Sequence, residues 1–172
     1  MRCSSARKTE AVQNQADELY SLLIPLHQHR LIVPRACVAE VVRHMLEPVE
    51  AGAPDWLRGM LRWNDRQIPV ISFEQLAGLP FAEPGGRTRI AVMNVLGEAL
   101  PDRAYGLLTE GFPQLVRVNR EVIEPDTRHA WPADGPIVCQ VRMINEYPLI
   151  PDLEQLEATV AAGLAPAGLQ PV

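Results

Sequence analysis

Along residues 56–72, WLRGMLRWNDRQIPVIS, apolar and polar side chains alternate. A period of two is the mark of half-buried strands. Asn64 and Asp65 separate two such runs, and both residue types tolerate the positive φ angles of a two-residue hairpin turn. That turn sets a register in which Trp63 faces Arg66, Leu61 faces Ile68 and Gly59 faces Val70. One face then carries Leu57, Gly59, Leu61, Trp63, Ile68 and Val70; the other carries Arg58, Met60, Arg62 and Gln67. Gly59 weakens the middle of its strand unless another segment approaches closely or the sheet bends there.

The same reading extends along the chain. Residues 19–34 form two short strands around a polar turn near Gln28, and Val38 to His44 form another. Residues 47–56 are loop by their Pro and Gly content. Ser72 caps a short helix, with Gln75 placed to reach back and complete a capping box, and Gly78 before Pro80 ends it. Strands are expected in RTRIAVMNVLG, AYGLLTEG and QLVRV, then a Pro/Asp-rich loop from Glu124 to Pro136. IVCQVRMI and YPLI should pair across an Asn145-Glu146 turn. Asp152 caps a last helix with Leu153, Leu156, Val160 and Leu164 on one stripe.

The strand-to-helix unit is used twice. IPVISFEQL (68–76) returns as YPLIPDLEQL (147–156), with Pro69 and Pro148 separated by 148 − 69 = 79 residues and Gln75 and Gln155 by 155 − 75 = 80. Many short strands with frequent turns predict barrels rather than a βαβ sheet. The duplication predicts two similar small β-barrels, an all-β-dominated fold with short helices. The expected divisions are an N-terminal arm over 1–18, barrel halves over 19–81 and 82–151, a C-terminal helix over 152–165 and a tail over 166–172. AEPGG (82–86) is the linker. Halves of about 60–70 residues are marginal alone, so the two should share an apolar contact.

Composition narrows the function. The 172-residue chain is 47% hydrophobic, 5% aromatic and 22% charged, with a formal net charge of −5. An aliphatic core follows, and nucleic acid is not the expected partner, because backbone binding calls for a basic surface. Cys3, Cys37 and Cys139 form no spaced pair, which fits a reducing compartment, and Cys139 lies in an apolar strand. The first residues have no apolar core of a secretory signal, no membrane-length apolar run exists, and a cytoplasmic location is expected.

Catalytic motifs are missing from the sequence, so no enzyme activity and no cofactor are expected. His27-x-His29 offers two imidazoles on one strand face without an acidic or Cys partner nearby; a polar hairpin turn is the preferred reading over a metal site. His44 and His129 carry no motif, and Asp55, Asp65, Glu110 and Asp152 each have a turn or cap role. Arg58 and Arg62 project from one hairpin face, either as a cationic contact surface for an acidic partner or as solvated strand charges. Met60 between them has the composition of protein interfaces. Arg66 is placed to stack on Trp63.

Several stretches together resemble the CheW-like family in order and spacing: Leu31-Ile-Val-Pro34, Val38-Ala-Glu40-Val-Val42, Ala53-Pro-Asp-Trp-Leu-Arg-Gly59, Ile68-Pro-Val-Ile71, Gly106-Leu-Leu-Thr-Glu110 and Leu149-Ile-Pro-Asp-Leu153. The likeness spans about residues 19–157. It implies two SH3-like five-stranded β-barrels packed on an apolar seam, in a non-catalytic adaptor of bacterial chemosensory arrays. Its implied partners are the regulatory domain of a sensor histidine kinase and the helical tip of a methyl-accepting chemoreceptor. The tip would lie between the barrels, and the kinase would contact barrel ends. Val38, Glu40 and Gly59 match family positions linked to partner contact. With Arg58, Met60, Arg62 and Asn64 they form the expected partner-binding set. The sequence departs from the family at the hairpin turn, where Asn64 replaces an Arg associated with receptor coupling. Ser72 stands for an Asp, and Glu110 for another. These departures resemble auxiliary members such as the ChpC-type proteins of type IV pilus chemosensory systems, which act in twitching motility. The competing readings are a small-barrel nucleic-acid-binding module, which would need stacking aromatics beside a basic groove, and an enzyme with a scattered site in a deep polar pocket.

Overall fold

The computed structural model describes residues 18–165; the expected arm, apart from Glu18, and the tail after 165 lie outside them. The strands are β1 (Leu19–Pro25), β2 (Arg30–Pro34), β3 (Val38–Arg43), β4 (Leu57–Trp63), β5 (Arg66–Ile71), β6 (Arg89–Asn94) and β7 (Ala104–Thr109). They continue with β8 (Gln114–Val118), β9 (Glu124–Asp126), β10 (Ile137–Arg142) and β11 (Leu149–Pro151). The helices are α1 (Phe73–Ala77) and α2 (Leu153–Leu164). They form two small barrels with orders β3-β6-β7-β5-β4 and β8-β1-β2-β11-β10-β9.

Position by position the two barrels correspond, and the correspondence corrects the division at residue 81. Hairpin β1–β2 of the first half sits in the second barrel, and hairpin β6–β7 of the second half sits in the first. Each barrel is thus built from both halves. The sixth strand has a counterpart too. Asp126 on β9 pairs with Gln140, as Glu47 bridges to Met60, and 140 − 60 = 80 is the repeat spacing. Glu47 and Met60 exchange hydrogen bonds of 2.8 and 2.9 Å, which close the first barrel between β3 and β4.

Exchange makes physical sense of the seam. Leu23 and Ile32 point into the second barrel with Val118, Val141 and Met143. Their neighbours Leu22, Ile24, Leu31 and Val33 point the other way, into a cluster shared with Ala91, Met93, Tyr105 and Leu107 of the other hairpin. Ile90, Val92, Ala104 and Leu108 fill the first barrel with Leu61, Ile68 and Val70. Both exchanged hairpins are therefore buried on two faces, so they read as continuous apolar runs rather than alternating ones. Leu156, Val160 and Leu164 of α2 cover the same shared cluster.

Hairpin β4–β5 has the register its sequence predicts, with Trp63 opposite Arg66 and Gly59 opposite Val70, and φ is 47° at Asn64 and 62° at Asp65. Its counterpart differs from the expectation. Met143 and Glu146 exchange backbone hydrogen bonds, so Ile144 and Asn145 make the turn, one residue earlier than Asn145-Glu146. Val141 and Met143 must both face the barrel interior, and a one-residue slip would turn them out. Ile144 consequently adopts φ 46°, an uncommon angle for a β-branched residue.

Both helix caps form, but neither is a closed capping box. The Ser72 hydroxyl accepts from the Gln75 N–H at 3.3 Å, and Asp152 accepts from the Gln155 N–H at 3.0 Å. The cap N–H groups instead donate to Trp56 and Pro136 carbonyls, again 80 residues apart. The Gln75 side chain is engaged by Arg58.

Two buried carboxylates tie each helix to the opposite barrel. Glu74 of α1 accepts from the His27 N–H in the β1–β2 turn at 3.2 Å and from the Ser72 hydroxyl at 3.2 Å. Glu157 of α2 accepts from the N–H groups of Leu96 and Gly97, after β6, at 2.7 and 3.0 Å. Gly163 lets Trp56 lie against α2; a Cβ there would sit 2.3 Å from Trp56 Cη2.

Candidate partner-binding face

The seven residues expected to contact partners are dispersed by the fold. Val38 is buried in the shared seam opposite Met93. Gly59 is buried as well, and its role is steric: an added Cβ would come within 2.8 Å of Leu46 Cβ and of the Glu47 carbonyl oxygen. The segment that closes the barrel crosses there, which is the close approach its mid-strand position calls for. Arg58 is committed inward. It donates to Gln75 at 3.1 Å, pairs with Glu83 at 2.7 Å and stacks 4.9 Å from the Phe81 ring centroid. Met60 is half-buried beside the Glu47 bridge. Asn64 is exposed at the hairpin tip.

Glu40 and Arg62 are brought to a common surface. Glu40, on β3, accepts a 2.8 Å hydrogen bond from Trp63 Nε1, on β4, so the indole is pinned across the barrel's closing edge. Beside it lies a groove of about 580 Å³. Val42, Leu46 and Leu61 supply its apolar floor, and Arg43, Arg62, Trp63 and Glu47 its rim, the Glu47 carboxylate accepting from Gln67 Nε2 at 2.6 Å. Met45 also lines it and is 74% exposed. Arg43 and Arg62 are exposed, and among the described residues neither is in an ion pair. An apolar trough with a Met at its lip and two guanidiniums at its edge suits a protein segment with apolar anchors and acidic flanks.

Sequence reasoning missed Met45, Leu46 and Arg43. Arg43 ends β3, and Met45 and Leu46 follow it without any strand period, so only the Gly59 gap points to a segment crossing there. Arg66 does not stack on Trp63. It donates to the Asp102 carbonyl at 3.1 Å, because Trp63 is held by Glu40.

His27 and His29 lie in the β1–β2 turn, and among the described residues no group of three or more His, Cys, Asp or Glu stands close enough to hold a metal. Cys37 and Cys139 are free thiols, both raised by burial, Cys37 further by the Glu157 charge. Asp126 is held at about 2, well below the usual carboxylate range, by its hydrogen bonds from Arg128. No helix among the described residues is long and apolar enough to cross a membrane.

Comparison with known proteins places this architecture. The family model described as "CheW-like domain" matches residues 21–159. No curated protein matches the sequence. Among solved structures, the scaffolding protein TtCheW from Thermoanaerobacter tengcongensis is similar in fold, with a TM-score of 0.65 at 17% identity. The match covers 78% of this chain and 84% of that one.

Proposed function

This chain belongs to the CheW-like domain family, and we propose that it is a non-catalytic adaptor that couples a chemoreceptor-type helical tip to the regulatory domain of a sensor histidine kinase. It holds proteins together and transforms no substrate. It works in the cytoplasm. The observation that carries the reading, beyond family membership, is the groove at Met45, with its apolar floor and its Arg43 and Arg62 rim. The kinase regulatory domain is assigned to that groove, where a buried apolar anchor would supply most of the affinity and the rim charges the rate and register. The receptor tip is assigned to the surface between the barrels, by helix-in-groove packing.

Asn64 bears on the receptor side. It stands at the exposed tip of β4–β5 in a position where the family's receptor-coupling Arg is expected. An auxiliary member of the ChpC type in a pilus chemosensory system fits that departure.

Calorimetry with purified partners tests the reading. Met45→Asp and Arg62→Glu should each weaken binding to the kinase regulatory domain tenfold or more while leaving the thermal midpoint unchanged. Asn64→Arg should strengthen binding to the receptor tip and leave kinase binding alone. If the wild-type chain binds none of the kinase regulatory domains or receptor tips encoded beside it, the adaptor reading falls.

A further inference from the structure

The two barrels are closed to different extents along matching edges. Met60 and Arg62 of β4 correspond to Gln140 and Arg142 of β10, since 140 − 60 and 142 − 62 are both 80. Along β10 the closing segment keeps pairing: Asp126 lies opposite Gln140, Pro125 opposite Val141 and Glu124 opposite Arg142. Glu124 and Arg142 also form an ion pair, and Val122 and Ile123 just before them pack against the barrel interior. Along β4 the closing segment pairs once, through Glu47 and Met60. Two residues before Glu47, where the second barrel carries Glu124, stands Met45, 74% exposed.

The groove of about 580 Å³ lies where that pairing stops, and one of its walls is an unfinished sheet edge. β4 is the last strand of its sheet. Alternate residues of a strand turn their N–H and C=O groups to the same edge. Met60 exchanges its two hydrogen bonds with Glu47 on the outer edge. The backbone groups of Arg62 therefore face that edge too, while Leu61 and Trp63 face β5. Among the described residues the Glu47–Met60 pair is the only backbone bridge there. An open edge is a template for another strand. The charges beside it are also unmet: neither Arg43 nor Arg62 is in an ion pair, and Glu47, the groove's one acid, is engaged by Gln67. The second barrel shows what completes such an edge: Ile123, Glu124 and Pro125, a carboxylate opposite the arginine with an apolar residue on each side.

We propose that the groove takes an extended segment of the partner protein as an added antiparallel strand on β4, with a carboxylate opposite Arg62 and apolar residues flanking it on the side of Leu61 and Trp63. The proposal rests on the assignment of a partner to this groove and adds how that partner is held: by backbone pairing with Arg62 and by one ion pair, in place of what Glu124 does for Arg142.

The test is amide NMR on the full chain with the terminally blocked peptide Arg-Glu-Val-Ile-Glu-Pro-Asp, which copies residues 120–126. Binding should be saturable, shift the Arg62 backbone amide and, at saturation, slow its hydrogen exchange at least fivefold. Methylating the amide nitrogen of the second Glu removes the donor to the Arg62 carbonyl and should weaken binding at least tenfold. Lys in place of that Glu should weaken it as much, and Arg62→Glu should lose the original peptide and regain the Lys peptide. The proposal is overturned if the peptide leaves the Arg62 amide unmoved, if the methylated peptide binds as well, or if the exchanged charges fail to rescue. A concentration-dependent dimer that Arg62→Glu dissolves would put a second copy in the groove and overturn it too. The kinase regulatory domain is a separate arm. If it binds while the Arg62 amide exchanges freely, the added strand falls and the adaptor reading stands; if the peptide binds as expected and no kinase regulatory domain does, the added strand stands and the adaptor reading falls.

Discussion

At the residue scale, local propensity and tertiary demand part company at Ile144. The residue is 85% exposed and makes no core contact, yet it occupies a left-handed conformation because the barrel register leaves it the turn. Ile144→Asn should therefore raise stability by about 1 kcal/mol, the order of the left-handed cost for an L-residue, read as a higher urea midpoint at unchanged slope. Tyr105 shows the opposite kind of tension. Its hydroxyl is buried without a partner. Burial, then the charge of Glu157 and then Cys37, pushes its ionisation well above the ordinary value of 10.0. A folded value above the unfolded one means the stability is intact below about pH 10 and is lost as pH rises beyond it. Tyr105→Phe should leave stability at pH 7 unchanged or up to about 1 kcal/mol higher. It should also flatten the alkaline loss, as followed by circular dichroism from pH 8 to 12; an unaltered alkaline limb would contradict it. Asn64 and Asp65 announced their turn in the sequence because their own chemistry decides it. Ile144 did not, because its conformation is set by Val141 and Met143, neighbours whose facing only the closed barrel defines.

At the element scale, the helices act less as packing units than as clasps. α1 has five residues, too few to stand alone. It is held by its Ser72 cap and by Glu74, whose carboxylate reaches the β1–β2 turn of the other barrel. α2 does the reciprocal job with Glu157, 2% exposed and bound to two N–H groups after β6. Glu157→Ala strips two charge-assisted bonds from the Leu96 and Gly97 N–H groups, which are partly exposed and can turn to water. It should cost about 1.5–3 kcal/mol by urea denaturation, whereas the exposed neighbour change Glu154→Ala should cost under about 0.5 kcal/mol. Similar losses for the two would refute the clasp. The sequence disclosed both caps, since a cap is a local pattern of three residues. It did not disclose the clasps, because a glutamate on a helix reads as surface charge until the opposite barrel is laid against it. For the same reason Met45 and Arg43 were overlooked: the apolar floor beside them joins Val42 and Leu46 to Leu61 of β4, and no local period marks it.

At the scale of the whole molecule, the duplication was legible and the exchange was not. Self-similarity at a spacing of about 80 residues fixes how many modules there are, but says nothing about which copy of a hairpin completes which barrel. Both pairings satisfy the same local rules, because β1–β2 and β6–β7 occupy equivalent places, each with its second strand parallel to β11 or β5. Exchange wins a doubly buried seam for both hairpins, and it makes the halves dependent on each other. Cutting the chain between Pro84 and Gly85, in the linker, should give two fragments that are each unfolded or self-associated at micromolar concentration. Mixed, they should recover the native spectrum and a single cooperative thermal transition, since every barrel strand then has its partner. Size-exclusion chromatography with circular dichroism decides it. A monomeric, cooperatively folding fragment of residues 18–84 would mean that its own hairpin completes its own barrel, and that the seam is incidental to folding. Under the proposed adaptor role, that mutual dependence would hold partners bound to different barrels at a fixed separation.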